Sequence, residues 1–190
     1  MVVVSERPTV LVIDDEPDLA DLYAAWLTDE YEVRTAYGGD EALDGMDEDV
    51  DVALIDRLMP DLSGDEVLDR VREAGYNCRV AMVTAVEPDF DIIEMGFDDY
   101  LVKPVSREDL VDTVEQLLLR SEYDERIQQF FALASKKALL DSEKTEPELR
   151  ASEEYARLVD RLAVIREESD EALLQLSENE SYRQVLEDLS

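Results

Sequence analysis

The first 120 residues alternate short apolar runs, rich in β-branched residues, with longer segments of helical period. This alternation is typical of βα units around a parallel sheet, in which a helix follows each strand and covers one face. Strands are predicted at 9–13, 32–36, 52–55, 80–83 and 100–102, and helices at 17–28, 40–46, 63–73, 89–94 and 106–119. The first and third strands are nearly unbroken Val, Leu and Ile, which suits strands buried on both faces at the centre of a sheet. The sequence therefore predicts an open, doubly wound α/β domain with a five-stranded parallel sheet.

The pattern changes after Arg120, where strand signals stop and long helical stretches follow. Thr145 and Glu148 have the spacing of a capping box, so a new helix is expected to begin there and to pack on the helix before it. We predict an α/β domain at 8–121 and a smaller all-α helical hairpin at 122–190. Apolar residues recur at helical spacing on both arms of this hairpin: Ile127, Phe130, Phe131, Ala134 and Ala138 on the first, and Tyr155, Leu158, Val159, Leu162 and Ile165 on the second.

The charge balance is strongly acidic, with 50 acidic and 18 basic residues and a formal net charge of −32. Such a surface repels nucleic acid at low salt and stays soluble where salt screens it, which favours a salt-rich cytoplasm over the alternative of an ordinary acidic protein. The absence of histidine and the single cysteine, Cys78, exclude a histidine base, an internal disulfide and a cysteine-rich metal site. No apolar run reaches the roughly 20 residues of a membrane-spanning helix, so a cytoplasmic protein with no membrane contact is expected.

Polar side chains follow four of the predicted strands. Asp14 and Asp15 follow the first strand, Asp56 the third, Thr84 the fourth and Lys103 the fifth. The carboxyl ends of parallel strands meet at one edge of a doubly wound sheet, so these side chains are expected to line one crevice. Three carboxylates gathered there would repel one another, and Mg²⁺, which prefers oxygen ligands, is the natural cation to neutralise them.

This crevice has the parts needed for phosphoryl transfer. Asp56 is predicted to attack phosphorus as a nucleophile and become the phosphoacceptor, while the Lys103 ammonium balances the charge on the transferring oxygens. Thr84 adds a hydroxyl that can bond a phosphoryl oxygen. Each residue also has a plainer interpretation when taken alone: Asp14 and Asp15 as helix caps, Lys103 as a surface lysine and Thr84 as a strand former. Their combination favours the site.

Four motifs carry a resemblance to the CheY-like receiver domain of two-component response regulators: VLVIDDEPDL, ALIDRLMPDLSG, MVTA and DDYLVKP. The resemblance implies a flavodoxin-like sheet of order 2-1-3-4-5 and a sensor histidine kinase as phosphoryl donor. It also implies that Asp15, Asp56 and the backbone carbonyl of Leu58 bind Mg²⁺, with Asp14 assisting through water. A cis peptide between Lys103 and Pro104 and a switch formed by Thr84 and Tyr100 complete the implied site.

Two departures from the receiver pattern stand out. The stretch between Thr84 and Tyr100 is short, so the helix within it is expected to have only one or two turns. Leu58 and Val86, two residues beyond Asp56 and Thr84, are apolar and are expected to slow self-dephosphorylation. Gly64 is expected to permit a close approach of the backbone where the next helix begins.

The second domain resembles the HalX domain found after receivers in haloarchaea, through YDERIQQFFALASKKALLDSEK and SEEYARL. We expect a response regulator, not an enzyme, whose helical domain signals to a protein partner. A DNA-binding transcriptional regulator is the alternative, although no basic recognition helix is visible. An aspartyl-phosphate phosphatase is disfavoured because Leu58 stands where such an enzyme needs a second acid. A homodimer is possible, but dimerisation through the last receiver helix is disfavoured because that helix, SREDLVDTVEQLLLR, is acidic.

Overall fold

The computed structural model describes residues 7–121 and 125–169. It divides into two compact units. The first comprises Met1–Glu87 and Met95–Ser121, and the second comprises Pro88–Glu94 and Glu122–Ser190. The predicted apolar stretches between 170 and 190 lie outside the described residues. Within the described ranges, no helix is long and apolar enough to cross a membrane.

The first unit is built on a parallel sheet of five strands, in the order β2-β1-β3-β4-β5. The strands are β1 (Thr9–Ile13), β2 (Glu32–Ala36), β3 (Val50–Ile55), β4 (Arg79–Thr84) and β5 (Asp99–Val102). The predicted doubly wound fold and strand order are confirmed. So is the interior position of the first and third strands, since β1 lies between β2 and β3.

Three strands, β3, β4 and β5, begin earlier than their apolar runs suggest. β3 starts at Val50 because this residue pairs with Thr9 across a register shift. β4 starts at Arg79, whose charge reads as a strand boundary in the sequence. The guanidinium of Arg79 instead lies buried, 2.8 Å from a carboxylate oxygen of Asp98. The charge is accommodated because its partner lies inside the fold as well.

Four helices cover the sheet: α1 (Pro17–Leu27), α2 (Gly39–Gly45), α3 (Gly64–Glu73) and α4 (Arg107–Ser121). α1 begins with Pro17, where a missing N–H costs no hydrogen bond. α3 begins with a complete capping box between Ser63 and Glu66. α1 and α4 pack on one face of the sheet, where Val10, Val12, Val52, Leu54, Ala20, Leu27, Leu110 and Val114 form part of a continuous buried cluster.

The second unit is helical, with α5 (Glu125–Glu143), α6 (Glu146–Ala151) and α7 (Glu153–Glu168). The capping box of Thr145 and Glu148 is confirmed at the start of α6. The expectation that one helix would run on from there is wrong, because α6 stops at Ala151. Ser152 then caps a new helix, since its hydroxyl accepts a hydrogen bond from the Tyr155 N–H at 3.1 Å.

The hairpin arrangement of this unit is visible at its closed end. The Tyr155 hydroxyl, near the start of α7, donates to the carboxylate of Asp141, near the end of α5. The short helix expected at 89–94 is a 3₁₀ turn at Phe90–Glu94, as the reduced length of this stretch predicts. This turn lies in sequence between β4 and β5, yet it packs within the second unit, against α5 and α7.

Candidate functional site

The three predicted carboxylates meet at the carboxyl edge of the sheet. Ile13 lies beside Ile55 in the pairing of β1 with β3, so the residues that follow them are neighbours as well. The N–H of Asp56 donates to the carbonyl of Ile13 at 3.0 Å. One carboxylate oxygen from each of Asp14, Asp15 and Asp56 lies within 4.8 Å of the other two. Asp14 and Asp56 are buried, whereas Asp15 is half-buried and open to an ion.

Lys103 joins two of these carboxylates from the neighbouring strand end. Its Nζ lies 2.7 Å from Oδ2 of Asp14 and 2.8 Å from Oδ2 of Asp56. Burial alone would lower the pKa of Lys103, but the hydrogen bonds and negative charges of the two aspartates outweigh this effect and raise it. The lysine is therefore a stable cation. Its N–H donates to the carbonyl of Thr84 at 2.8 Å, and the implied cis peptide to Pro104 is confirmed.

Local hydrogen bonds hold the backbone beside Asp14 and Asp56. Oδ1 of Asp14 accepts from the N–H of Glu16 at 2.9 Å, and Oδ1 of Asp56 accepts from the N–H of Leu58 at 3.1 Å. The close approach expected at Gly64 is confirmed, because a Cβ on this residue would lie 2.0 Å from the carbonyl oxygen of Asp56. Only glycine allows the start of α3 to lie this close to the backbone of Asp56.

Thr84 and Tyr100, the two predicted switch residues, meet at Val86. The buried Thr84 hydroxyl accepts from the N–H of Val86 at 3.3 Å. The Tyr100 hydroxyl donates to the carbonyl of Val86 at 2.6 Å, and its ring is buried against Phe97. Both backbone polar groups of Val86 are therefore held by the two side chains that are expected to move. Their role as a switch stays a prediction.

Two residues near the site escaped the sequence reasoning. Arg57 makes two hydrogen bonds of 2.9 Å to the carboxylate of Asp65, which ties the loop after Asp56 to the first turn of α3. Tyr23 is buried in α1. Burial raises the pKa of Tyr23, Lys103 lowers it, and Asp14 and Asp56 raise it, so its phenol lies within the electrostatic field of the site. The position of Arg57 directly after Asp56 could have indicated its role. Tyr23 has no such signal, because in the sequence it resembles any other apolar position of α1.

The donor set fits a hard divalent cation. The three side-chain ligands all offer carboxylate oxygens, which the strand ends bring within 4.8 Å of one another. Leu58, whose carbonyl is the remaining implied ligand, has a side chain that is 64% exposed. Asp56 therefore has no acidic or amide side chain two residues after it.

Lys136 and Lys137, two adjacent basic residues of the second unit, both have partners within that unit. Lys136 is only 4% exposed, and its ammonium donates to the carbonyl of Ile93 at 3.2 Å. Lys137 forms an ion pair of 2.7 Å with Asp141, one turn further along α5. The one pair of adjacent basic residues between 122 and 190 is therefore engaged inside its own unit.

A five-stranded parallel sheet of this order, with three carboxylates and a lysine at its carboxyl edge, defines a receiver domain. The chain belongs to the response regulator receiver domain family, whose model matches residues 10–115, and a HalX domain follows at 119–186. A relative from Haloferax volcanii, named as a proposed transcriptional regulator, is 53% identical over 86% of this chain and 28% of its own length. The transcriptional regulatory protein CpxR of Escherichia coli K12 is 34% identical over 63% of this chain and 53% of its own.

Solved receiver structures agree with this assignment. The Francisella response regulator 1452 receiver domain is 31% identical, covers 60% of this chain and 98% of its own, and has a TM-score of 0.54. The response regulator protein TrrA of Thermotoga maritima, solved in complex with Mg²⁺ and BeF, is 31% identical, with 58% and 99% covered and a TM-score of 0.52. The chain spans about a quarter to a half of the length of the curated relatives described above.

Proposed function

We propose that this protein is a response regulator that accepts a phosphoryl group on Asp56 and does not turn over a metabolite. The observation that carries the proposal is the contact of the Lys103 ammonium with both Asp14 and Asp56, at 2.7 and 2.8 Å, beside the half-buried Asp15. This arrangement combines a nucleophile, a fixed cation and a set of oxygen ligands at one strand edge. These 190 residues contain no histidine, so a phosphohistidine donor lies outside them, and a sensor histidine kinase is the candidate.

In the transfer, a carboxylate oxygen of Asp56 forms a bond to phosphorus while the bond from phosphorus to the donor nitrogen breaks. The electron pair of the broken bond stays on the donor imidazole, and Asp56 becomes an acyl phosphate. Lys103 stays protonated and bonds the phosphoryl oxygens as their charge is redistributed. Asp15, Asp56 and the Leu58 carbonyl would hold Mg²⁺, with Asp14 assisting through water, and the bound ion would supply further positive charge to the same oxygens. Thr84 then donates its hydroxyl to a phosphoryl oxygen.

For the output, we favour a protein partner. The region 122–190 has 18 acidic and 9 basic residues, and its adjacent lysines, Lys136 and Lys137, are already occupied by Ile93 and Asp141. Binding to DNA requires cations that face phosphates, and neither lysine is available for this. Regulation of transcription through DNA is the second candidate, favoured by the names of the relatives, although most of the Haloferax relative lies outside the matched region. Gel shifts with genomic fragments over a range of KCl concentrations separate the two.

The central test is intact mass spectrometry after incubation with acetyl phosphate and Mg²⁺ at high KCl. The wild-type protein is expected to gain one phosphoryl group that hydroxylamine removes, since hydroxylamine cleaves acyl phosphates. Asp56→Asn, which keeps the size of the side chain but removes the nucleophile, is expected to stay unmodified. Asp40→Asn, an exposed change in the first turn of α2, is the matched control and is expected to behave as the wild type.

Two results would overturn the proposal. One is a phosphoryl adduct that persists in Asp56→Asn at the wild-type level. The other is a wild-type protein that stays unmodified both with acetyl phosphate and with an autophosphorylated histidine kinase from the same genome. Omission of Mg²⁺ is expected to abolish the adduct, because the carboxylates then face the phosphoryl group with only Lys103 to balance their charge.

A further inference from the structure

We propose that the Pro88–Glu94 segment couples the phosphorylation state of Asp56 to the helical unit. In this proposal, Lys144 transmits a change at the amino-terminal end of the segment to α5. The proposal rests on the proposed function, since it concerns the regulation that follows phosphorylation. The segment is encoded between two receiver strands but packs within the second unit. The chain therefore passes from the switch residue Thr84 to this segment through only Ala85, Val86 and Glu87.

The residues that follow the segment are anchored in the first unit by buried hydrogen bonds. Asp98 is buried and accepts from Arg79 at 2.8 Å and from the N–H of Val80 at 2.9 Å. Arg72 donates to the carbonyl of Gly96 at 2.9 Å and contacts Asp98 at 3.3 Å. Buried, charge-assisted contacts of this kind are costly to break, so this end is expected to stay in place when the site changes.

The amino-terminal end is held by the switch residues themselves. The N–H of Val86 donates to the Thr84 hydroxyl at 3.3 Å, and its carbonyl accepts from Tyr100 at 2.6 Å. When Thr84 turns its hydroxyl toward a phosphoryl oxygen, it moves away from the N–H of Val86. Phosphorylation therefore releases the end of the segment that precedes Pro88, while the end at Asp98 remains bound.

Within the second unit, two lysines contact the two ends of the segment separately. Lys136 lies in α5, and Lys144 directly follows this helix. The Lys144 ammonium lies 3.0 Å from Oδ1 of Asp89 and 5.4 Å from the ring centroid of Phe90. The buried Lys136 instead donates to the carbonyl of Ile93 at 3.2 Å. A displacement of the backbone that begins at Val86 therefore affects the contact between Asp89 and Lys144 first. The contact between Ile93 and Lys136 lies near the end that is anchored through Asp98. Lys144 is a positioning residue that acts through Asp89 and Phe90.

Hydrogen exchange of the full chain at high KCl, with and without Mg²⁺ and beryllofluoride as the phosphoryl mimic, tests this coupling. In the wild type, the mimic is expected to speed exchange about fivefold at Val86 and at the end of α5, which corresponds to the loss of a hydrogen bond worth roughly 1 kcal/mol. In Lys144→Met and in Asp89→Asn, the change at Val86 is expected to persist while the change at the end of α5 disappears. Lys137→Met, which removes an ion pair on the same helix without touching the segment, is the matched control and is expected to keep both changes.

The outcomes separate this proposal from the proposed function. Exchange that changes at Val86 but not in α5 of the wild type would refute the coupling and leave phosphorylation at Asp56 intact. Equal α5 responses in wild type and Lys144→Met would refute the role of Lys144. If the mimic alters nothing around Asp56, and neither acetyl phosphate nor an autophosphorylated histidine kinase adds mass, the proposed function itself fails. Reciprocity supplies a second readout, because coupled sites influence each other equally: Lys144→Met is expected to change the apparent affinity for beryllofluoride, whereas Lys137→Met is not.

Discussion

The ammonium of Lys103 lies 2.8 Å from Oδ2 of Asp56, although the two residues are separated by 47 positions in the chain. The contact forms because both residues directly follow strands of one parallel sheet and so reach the same edge. Lys103 also touches Asp14, which makes it the counter-ion of two buried carboxylates at once. The same ammonium is therefore expected to serve both stability and phosphoryl transfer.

Replacement of Lys103 by Met is expected to slow phosphorylation of Asp56 by acetyl phosphate roughly 100-fold, the typical effect of removing one preorganised donor from a developing charge. The rate is measured by intact mass over time, with Lys137→Met as a control for the loss of one positive charge. Thermal unfolding in the presence of Mg²⁺ establishes that the variant is folded under the assay conditions. A rate equal to that of the wild type would contradict the role assigned to Lys103.

Gly64→Ala is expected to lower the free energy of unfolding by about 2 to 3 kcal/mol, because the new methyl group would overlap the carbonyl oxygen of Asp56 and the backbone has to move. Denaturant unfolding at fixed KCl measures the change. Gly45→Ala is the matched control: its Cβ would meet only Leu11, at 3.7 Å, and alanine in a helix is favoured over glycine by up to about 1 kcal/mol. Similar destabilisation by both variants would show that the close approach at Gly64 is unimportant.

The exposed Leu58 offers no polar group to orient a water molecule for attack on phosphorylated Asp56. Leu58→Asn is therefore expected to shorten the lifetime of the phosphoryl group about tenfold, the effect of one added hydrogen bond in the transition state. The decay is followed with labelled protein after the donor is removed. A wild-type lifetime of only seconds, or one that Leu58→Asn leaves unchanged, would argue against this explanation.

Salt is expected to be necessary for the folded state, because a net charge of −32 repels itself whenever it is unscreened. The Debye length rises from about 3 Å at 1 M salt to about 10 Å at 0.1 M, so the unfolding temperature is expected to fall steadily over this range. Scanning calorimetry at several KCl concentrations measures it. A neutral osmolyte such as glycine betaine, at equal osmolality, is not expected to replace KCl; full replacement would point to hydration in place of charge screening.

Local signals in the sequence predicted local structure well. Pro17 and the capping box at Thr145 each lie where a helix begins, because such signals depend on residues only a few positions apart. The single long helix expected after Thr145 was wrong because Ser152 starts a second helix with its own cap. The sequence does not distinguish a serine that caps a helix from a serine inside one. Only the backbone conformation at that serine distinguishes the two.

The partners of buried charges were beyond sequence reasoning. Nothing in the chain indicates that Arg57 pairs with Asp65, that Arg79 pairs with Asp98, or that Lys136 is buried against Ile93. These contacts depend on which strand ends and helices meet, so they appear only when the fold is assembled. A charged residue looks exposed in the sequence, yet it can be buried when a partner is buried with it.

The sequence by itself determined the α/β order of the first domain, the change to helices after Arg120 and the gathering of Asp14, Asp15, Asp56 and Lys103, because parallel strands bring their carboxyl ends to one edge. The tertiary structure alone decided that Thr84 and Tyr100 hold the two polar groups of Val86 and that Pro88–Glu94 packs with the helical unit. The physical reason is range. Periodicity and caps act over a few residues, whereas the Tyr100–Val86 hydrogen bond spans 14 positions and the Pro88–Glu94 segment packs against helices still further along the chain, so packing decides which partners meet.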